Sequence, residues 1–393
     1  MFTRICLIKT RSYATFQKLG VPESTAALLQ TTFGITKPTQ TQSDLIPTIL
    51  SGKDLFLRDG TGTGKSFGMA LALASIDPQS RSLYITPNQE LASQVKQWIE
   101  SLAPHHGVIV DTAARLSDAS PTLTTIDRIV LDEADQALRL PKRYATLRQQ
   151  QQRQLHPKPA QLLLTDLMQS SPKKPQLIAS SATLNRPLRH WMTQQGWLVD
   201  PVFIDITHGS HQPSVQHHCL MVSDDAIRNI TPSKPTPSAP PTTTFDDQDD
   251  RMLESVAILH DLEQVSKDSV LFVDSSVSTA TIQSRLAAFN IHAKDIRDAL
   301  QTTSTIPTLW IATEFSARGI DLASVSHVFI LGKPGSIASY LHMAGRTGRL
   351  GPNGKVRPGK VISLVRDHGR SETKMINMYN LMNIDVASLD HVD

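Results

Sequence analysis

The stretch Leu55-Phe56-Leu57-Arg58-Asp59-Gly60-Thr61-Gly62-Thr63-Gly64-Lys65-Ser66 decides the fold. It opens on a short apolar run and leads into a helical pattern over residues 65–75. Glycines at 60, 62 and 64 free the backbone to turn its amides inward around an anion. The start of a helix adds its positive end. In such a loop Gly60, Thr61, Gly62, Thr63 and Gly64 cradle phosphates, Lys65 reaches the β- and γ-phosphates of a nucleotide, and Ser66 ligates Mg²⁺. The strict pattern has glycine where Asp59 stands, and the plain alternative is a glycine-rich turn.

Outward from this loop, short β-rich runs alternate with helical stretches. The runs are Leu55–Leu57, Leu83–Ile85, Ile129–Leu131 and Leu177–Ala179, then Val270–Val273, Leu309–Ala312, Val328–Leu331 and Val361–Val365. Helical patterns cover 65–75, 89–102, 278–289 and 371–383. Continuous apolar strands between helices predict an α/β protein with a buried parallel sheet in each half. Ligands of such sheets bind at the carboxyl ends of the strands. Asp132-Glu133-Ala134-Asp135 follows one strand directly. There Asp132 can hold the nucleotide's Mg²⁺ and Glu133 can polarise the attacking water. The plain alternative is an acid-rich helix start.

Composition bounds the rest. A chain of 393 residues predicts two or three domains, with two favoured. Hydrophobic residues at 39% exclude a disordered chain, and two cysteines, Cys6 and Cys219, exclude a disulfide framework or a cysteine zinc site. No apolar run approaches the roughly 18 residues of a membrane helix, so no membrane partner is expected. Net charge +3 permits a nucleic-acid partner. The first 22 residues carry Arg4, Lys9, Arg11 and Lys18 and no acid. That composition predicts a mitochondrial transit peptide over 1–15, against the alternative of a flexible basic tail. Residues 141–160 hold five Lys/Arg and no acid, predicting an exposed basic excursion. Residues 223–250, rich in Pro, Thr, Ser and Asp, predict a disordered insertion in which the paired aspartates only solvate the chain. His105-His106 and His217-His218 read as surface or loop positions.

Taken with their surroundings, these motifs closely resemble the DEAD-box ATP-dependent RNA helicases, mitochondrial type. Gly34-Ile35-Thr36-Lys37-Pro38-Thr39-Gln40-Thr41-Gln42 is similar to that family's adenine-reading motif. The resemblance implies that Gln42 reads adenine and that Phe16 stacks on the base. Pro87-Asn88-Gln89-Glu90-Leu91-Ala92 and Val110–Arg115 resemble RNA-backbone motifs, implying contacts by Pro87, Thr112 and Arg115, with Gln89 in place of the usual Arg. Ser181-Ala182-Thr183 resembles the motif coupling hydrolysis to strand separation, and Asp135 and His342 are implied to share that role. Ala312–Asp321 implies an RNA contact by Thr313 and a ribose contact by Asp321. Tyr340–Arg349 resembles the arginine-finger motif, implying that Arg346 and Arg349 act on the phosphates.

The fold implied is two RecA-like domains: 16–205, the ATP-binding domain, and 206–393, the C-terminal domain. The activity implied is ATP hydrolysis coupled to RNA remodelling through domain closure, by a monomer of the mitochondrial matrix. The RNA is expected to be held by its backbone, with mitochondrial ribosomal RNA or ribosome precursors as the implied targets. Departures concentrate outside the nucleotide motifs. The span from Ala92 to Thr112 is short, as though a strand and a paired-glycine RNA motif were missing from within the sheet. The span 291–308 is also short, Met343 replaces an Arg, Glu314 an Asp and Gly332 an Asp. These favour an alternative, an ATP-gated RNA clamp with little unwinding. A DNA translocase is disfavoured by the adenine-reading motif. Residues 346–374 hold eight Lys/Arg against two acids, read either as an extension of the RNA track or as a solvated basic surface.

Overall fold

The computed structural model describes residues 15–118, 125–141, 145–206, 215–231, 249–300, 306–317, 322, 325–349 and 357–392. The transit peptide expected over 1–15 lies almost wholly outside them, as do Asp321 and residues 232–248 of the expected insertion. Two compact units divide the chain close to residue 210.

The first unit runs α1 (Glu23–Phe33), α2 (Gln40–Leu50), β1 (Leu55–Arg58), α3 (Lys65–Ala74), β2 (Ser82–Thr86), α4 (Gln89–Leu102), β3 (Val108–Thr112), α5 (Ala113–Asp118), β4 (Arg128–Leu131), α6 (Ala134–Leu138), α7 (Leu147–Leu155), α8 (Pro159–Ser170), β5 (Gln176–Ser181), α9 (Arg186–Gln194) and β6 (Val202–Asp205). Its sheet has the order β3-β2-β4-β5-β1-β6, every pair parallel. Alternation along each strand sorts side chains onto two faces. Leu55, Leu57, Tyr84, Val130 and Ile178 join the core under α1–α4. Phe56, Leu83, Ile85, Ile129, Leu131, Leu177 and Ala179 join the core under α5, α6, α8 and α9. Central strands clad on both sides leave no polar register, which is why they read as unbroken apolar runs.

The second unit runs β7 (Val215–Val222), β8 (Ile227–Asn229), α10 (Asp250–Leu262), β9 (Ser269–Phe272), α11 (Thr279–Ala287), β10 (Ala293–Asp295), β11 (Leu309–Ala312), β12 (His327–Leu331), α12 (Ile337–Ala344), β13 (Gly359–Arg366) and α13 (Ser371–Met382). The sheet order is β10-β11-β9-β12-β13-β7-β8, parallel except for the β7–β8 hairpin. α10 and α11 cover one face and α12 and α13 the other. Two parallel sheets flanked by helices confirm the expected α/β class.

Four expectations are corrected. First, residues 223–231 are ordered. β8 pairs with β7, Arg228 bridges Asp367 (2.8 Å) and Glu372 (3.0 Å), and the Thr231 amide donates to Glu372 (2.9 Å). At the other end Asp249 accepts the Met252 amide at 2.9 Å, capping α10, and receives Arg366. These acids are structural anchors, not solvation. Second, the inner strands β2, β4, β5 and β1 of the first sheet pair without interruption. The shortened span ends on β3, an edge strand, where trimming leaves the inner ladder intact. Third, part of the basic excess of 346–374 is internal. Lys360 pairs with Glu263, and the buried Arg366 pairs with Asp249 and Asp224, so both are engaged within the protein. Fourth, His217 and His218 lie in β7. The His217 Nδ1 is 2.6 Å from the Tyr340 hydroxyl and His218 Nδ1 is 2.9 Å from the Ala387 carbonyl; burial depresses both histidines, His217 to about 4.

Gly359, at the start of β13, is held glycine by close approach. A Cβ there would lie 2.8 Å from the Thr347 methyl and 2.9 Å from the Gly348 amide nitrogen. Thr347 is buried, its hydroxyl donating to Val325 O at 2.8 Å. Gly359→Ala is expected to destabilise the second unit by about 1–3 kcal/mol, read as an earlier transition in denaturant unfolding. An unchanged midpoint would contradict this packing.

Candidate active site

The parallel order brings five loops to one edge of the first sheet. Thr112 ends β3, Pro87 follows β2, Asp132 follows β4, Ser181 ends β5 and Asp59 follows β1. The loop from Gly60 to Gly64 turns with φ of +74° at Gly62 and +87° at Gly64, values that suit glycine. Lys65 is buried. Its ammonium donates to Asp59 O at 3.0 Å and to Gly60 O, closing the loop on itself. Asp59 does not project toward the loop's anion-binding side as a free charge. It is fully buried, accepting the Gly60 amide at 2.7 Å and the Thr41 hydroxyl, so it ties α2 to the phosphate loop.

α2 is also fastened through its N-terminus. Thr39 and Gln42 form a reciprocal capping box, with the Gln42 amide donating to Thr39 Oγ1 (3.1 Å) and the Thr39 amide to Gln42 Oε1 (3.0 Å). Gln42 Nε2 faces Gly64 O at 3.4 Å, and a Cβ on Gly64 would meet that nitrogen at 2.8 Å. Gln42 is thus wedged against the loop. Phe16 differs from expectation. It is 3% exposed, packed in the core with Leu19 and Val21, and protein covers the ring faces that a stacked base would use.

Asp132 is fully buried at the end of β4. The Tyr84 hydroxyl donates to it at 2.9 Å and the Ser66 side chain is a second donor. Burial first, and then the neighbouring Glu133 charge, push its carboxyl up to about 6, against the pull of Ser66, Tyr84 and Lys65. Glu133 sits in the left-handed region (φ +49°, ψ +52°), a conformation costing a side chain about 1–2 kcal/mol. Strain of this kind collects at functional positions. Asp135 accepts from Ser181 Oγ at 2.7 Å and from the Thr183 hydroxyl, and Ser181 Oγ accepts the Thr183 amide at 3.0 Å. The structure therefore brings together Asp135, Ser181 and Thr183, beside Asp132 and Glu133.

Along the same edge Gln89 joins the residues expected to meet RNA. Its Nε2 donates to Asp111 Oδ1 (2.6 Å) and Thr112 Oγ1 (3.2 Å), and Arg115 donates to its Oε1 (3.1 Å). In the second unit, Thr313 and Ser316 exchange hydrogen bonds after β11, and Glu314 accepts from the Ser339 hydroxyl on α12. His342 and Arg346 are buried. Arg346 donates to His342 O (3.2 Å) and Ala317 O (3.0 Å), whereas Arg349, half-buried, donates to Gly345 O (3.2 Å).

Sequence reasoning missed Tyr84 and Thr41. A tyrosine in the middle of a fully buried strand needs a hydroxyl partner, and that was the available signal. Thr41 carries none, since its partner Asp59 is fixed only by the fold. The donor set at Asp132 suits Mg²⁺: carboxylate and hydroxyl oxygens beside a phosphate loop fit a hard cation that binds through one or two carboxylates plus phosphates and water. Among the described residues no cluster of three or more His, Cys, Asp or Glu could hold a metal, and no helix is long and apolar enough to cross a membrane.

Comparison with known proteins follows this geometry. The DEAD/DEAH box helicase model matches residues 39–115, and the helicase conserved C-terminal domain model matches residues 244–351. The RNA helicase CrhR of Synechocystis sp. is 25% identical over 379 residues, covering 85% of this chain and 67% of its own length. The DEAD-box ATP-dependent RNA helicase CshA of Bacillus cereus is 26% identical over 376 residues, covering 86% of this chain and 64% of its own. The chain thus spans about two thirds of the length of these relatives. Among solved structures, S. cerevisiae Dbp5 bound to RNA and ADP BeF3 shares the fold, with a TM-score of 0.71, 19% identity and 95% of each chain covered. The two helicase models fall one on each unit, in that order, and over most of its length the chain is similar to DEAD-box ATP-dependent RNA helicases.

Proposed function

We propose that this chain is an ATP hydrolase that binds RNA by its backbone and remodels it. The observation that carries this reading is the convergence of Lys65, Ser66, Asp132 and Glu133 with the Asp135–Ser181–Thr183 cluster at one sheet edge. A change in the phosphate site is then felt directly by the loop after β5. Gly60–Gly64 and Lys65 bind the phosphates, and Gln42 holds that loop in register with the adenine side. Ser66 and Asp132 would hold Mg²⁺, which supplies charge neutralisation on the phosphates. Glu133 orients the attacking water and accepts its proton. Pro87, Thr112, Arg115 and Thr313 contact the RNA backbone. Nucleotide-driven closure of the two units, with Arg346 and Arg349 acting on the phosphates and Asp321 on the ribose, is proposed from the motif resemblance.

The exchange of Arg for Gln89, which engages Thr112 and Arg115 within the protein, favours a second reading, an ATP-gated RNA clamp. We place the protein in the mitochondrial matrix, acting as a monomer on ribosomal RNA or ribosome precursors. The basic, acid-free N-terminus supports the compartment.

Single-stranded RNA, and not DNA, should stimulate ATP hydrolysis, and Glu133→Gln should lower the rate by about 10²-fold or more while nucleotide binding persists. Stimulation by DNA alone would contradict the RNA reading. Displacement of a strand from a short RNA duplex separates remodelling from clamping. The raised Asp132 carboxyl sets a second expectation. Its folded value lies above the ordinary 3.8, so the native state is favoured at low pH and loses that advantage as pH rises through about 6. Asp132→Asn should therefore raise the melting temperature of the nucleotide-free protein at pH 8, by an effect on the order of 2 kcal/mol, and leave it near wild type at pH 4. A variant less stable at pH 8 would contradict the burial argument. Residues 1–15 fused to a reporter should carry it into mitochondria, and cytosolic retention would refute the localisation.

A further inference from the structure

α7 stands apart from both cores. None of its nine residues is buried, and Leu147 and Leu155 at its ends are 77% and 75% exposed. So short a helix is marginal in water without packing. Two features hold it in place. Thr146 and Gln149 form a reciprocal capping box (3.0 and 3.3 Å), and the Arg153 guanidinium donates to Leu138 O at 2.8 Å, where α6 ends. The helix is thereby clipped to the element that follows Glu133. On its other side the chain passes through Lys158 into α8. α8 packs Leu163, Leu164 and Leu167 into the cluster that holds Leu116 of α5, the helix carrying Arg115. α7 is thus tied to the end of α6 and leads along the chain into α8, which packs on the helix carrying Arg115.

Its chemistry is one-sided. Residues 141–160 carry five Lys/Arg, four consecutive glutamines and no acid, whereas the chain as a whole nearly balances its charges. A preformed helix bearing fixed cations and amide donors, with no carboxylate to compete, matches a polyanion read through its phosphates.

We propose that α7 is an RNA-backbone contact, with Arg148 as its exposed cation, extending the track that begins at Thr112 and Arg115. This rests on the RNA reading above. Contact is sequence-independent: arginine and lysine displace counterions, and the glutamine amides donate to phosphate or sugar oxygens.

The test uses the full chain, a fluorescent short single-stranded RNA and a non-hydrolysable ATP analogue, titrated between about 50 and 200 mM salt. Arg148→Gln should weaken binding about fivefold near 0.1 M salt and make the log Kd against log salt slope shallower by about 0.7. Arg148→Gln with Lys158→Gln should roughly double both logarithmic effects. Arg148 is exposed, so an unchanged melting temperature verifies that the variant is folded. Wild-type binding with the same slope and affinity in a folded Arg148→Gln would overturn the proposal alone. Failure of the wild type to bind RNA would overturn the RNA reading and this extension with it.

Discussion

β5 is hydrogen-bonded in parallel to β1 on one side and to β4 on the other, and the first unit's chemistry depends on that pairing. Arg58 lies opposite Ser181, and Leu131 opposite Ala179, so the three strands finish within two residues of one another. The phosphate loop, the Asp132–Asp135 turn and the Ser181–Thr183 turn are then obliged to meet, although more than a hundred residues separate the first from the last. A one-residue slip of β4 would exchange the faces of Val130 and Leu131 and carry Asp132 away from Tyr84. Burial on both sheet faces forbids that slip more strongly than any contact among the loops.

The acids of the site, Asp59 and Asp132 buried and Asp135 half-buried, share a second physical feature. Asp59 is held by Thr41, Asp132 by Tyr84 and Ser66, and Asp135 by Ser181 and Thr183. Each carboxylate is thus solvated by hydroxyls, where a buried charge otherwise requires a partner of opposite sign. A lysine or arginine in those places would stabilise the apo protein better but would cancel the negative charge. Hydroxyl donors lower the burial penalty while leaving the charge available to a cation or to a water proton. Among the described residues the one buried ammonium, Lys65, is kept on backbone carbonyls that cannot neutralise it. The site retains both signs of charge close together, at the expense of stability that the sheet supplies elsewhere.

The legible parts of the fold are those whose information is local. Leu83–Ile85 and Leu177–Ala179 read as strands because both of their faces are covered, and residues 65–75 and 89–102 read as helices. β3 is half-buried throughout, lying at a sheet edge, and β7 opens with Val-Gln-His-His, whose polar residues resemble a loop until Tyr340 and Ala387 O provide their partners. The same reason hid residues 223–231. Their composition suggests disorder, and what orders them is a set of ion pairs from Arg228 to Asp367 and Glu372, nearly 140 residues away. The nucleotide loop and the carboxylates were legible from spacing alone. Thr41 and Tyr84 were not, because their roles exist only once β1, β2 and β4 are neighbours.

Charge along the motif edge of the first unit is redistributed rather than lost. Gln89 in place of arginine removes one cation beside Thr112, and the Asp111–Arg115 pair, at 4.0 Å, offsets another. An arginine at 89 would face Arg115 across that cluster, so the neutral amide is the residue that lets Asp111, Thr112 and Arg115 form one bonded group. A group bonded to itself is well ordered but offers less net charge to a phosphate. Arg148 supplies a cation free of that compromise, on a helix whose order comes from its own cap and from the Arg153 hydrogen bond to α6. Separating order from charge in this way keeps the residues nearest the carboxylates rigid while placing electrostatic attraction where no buried acid is disturbed by it.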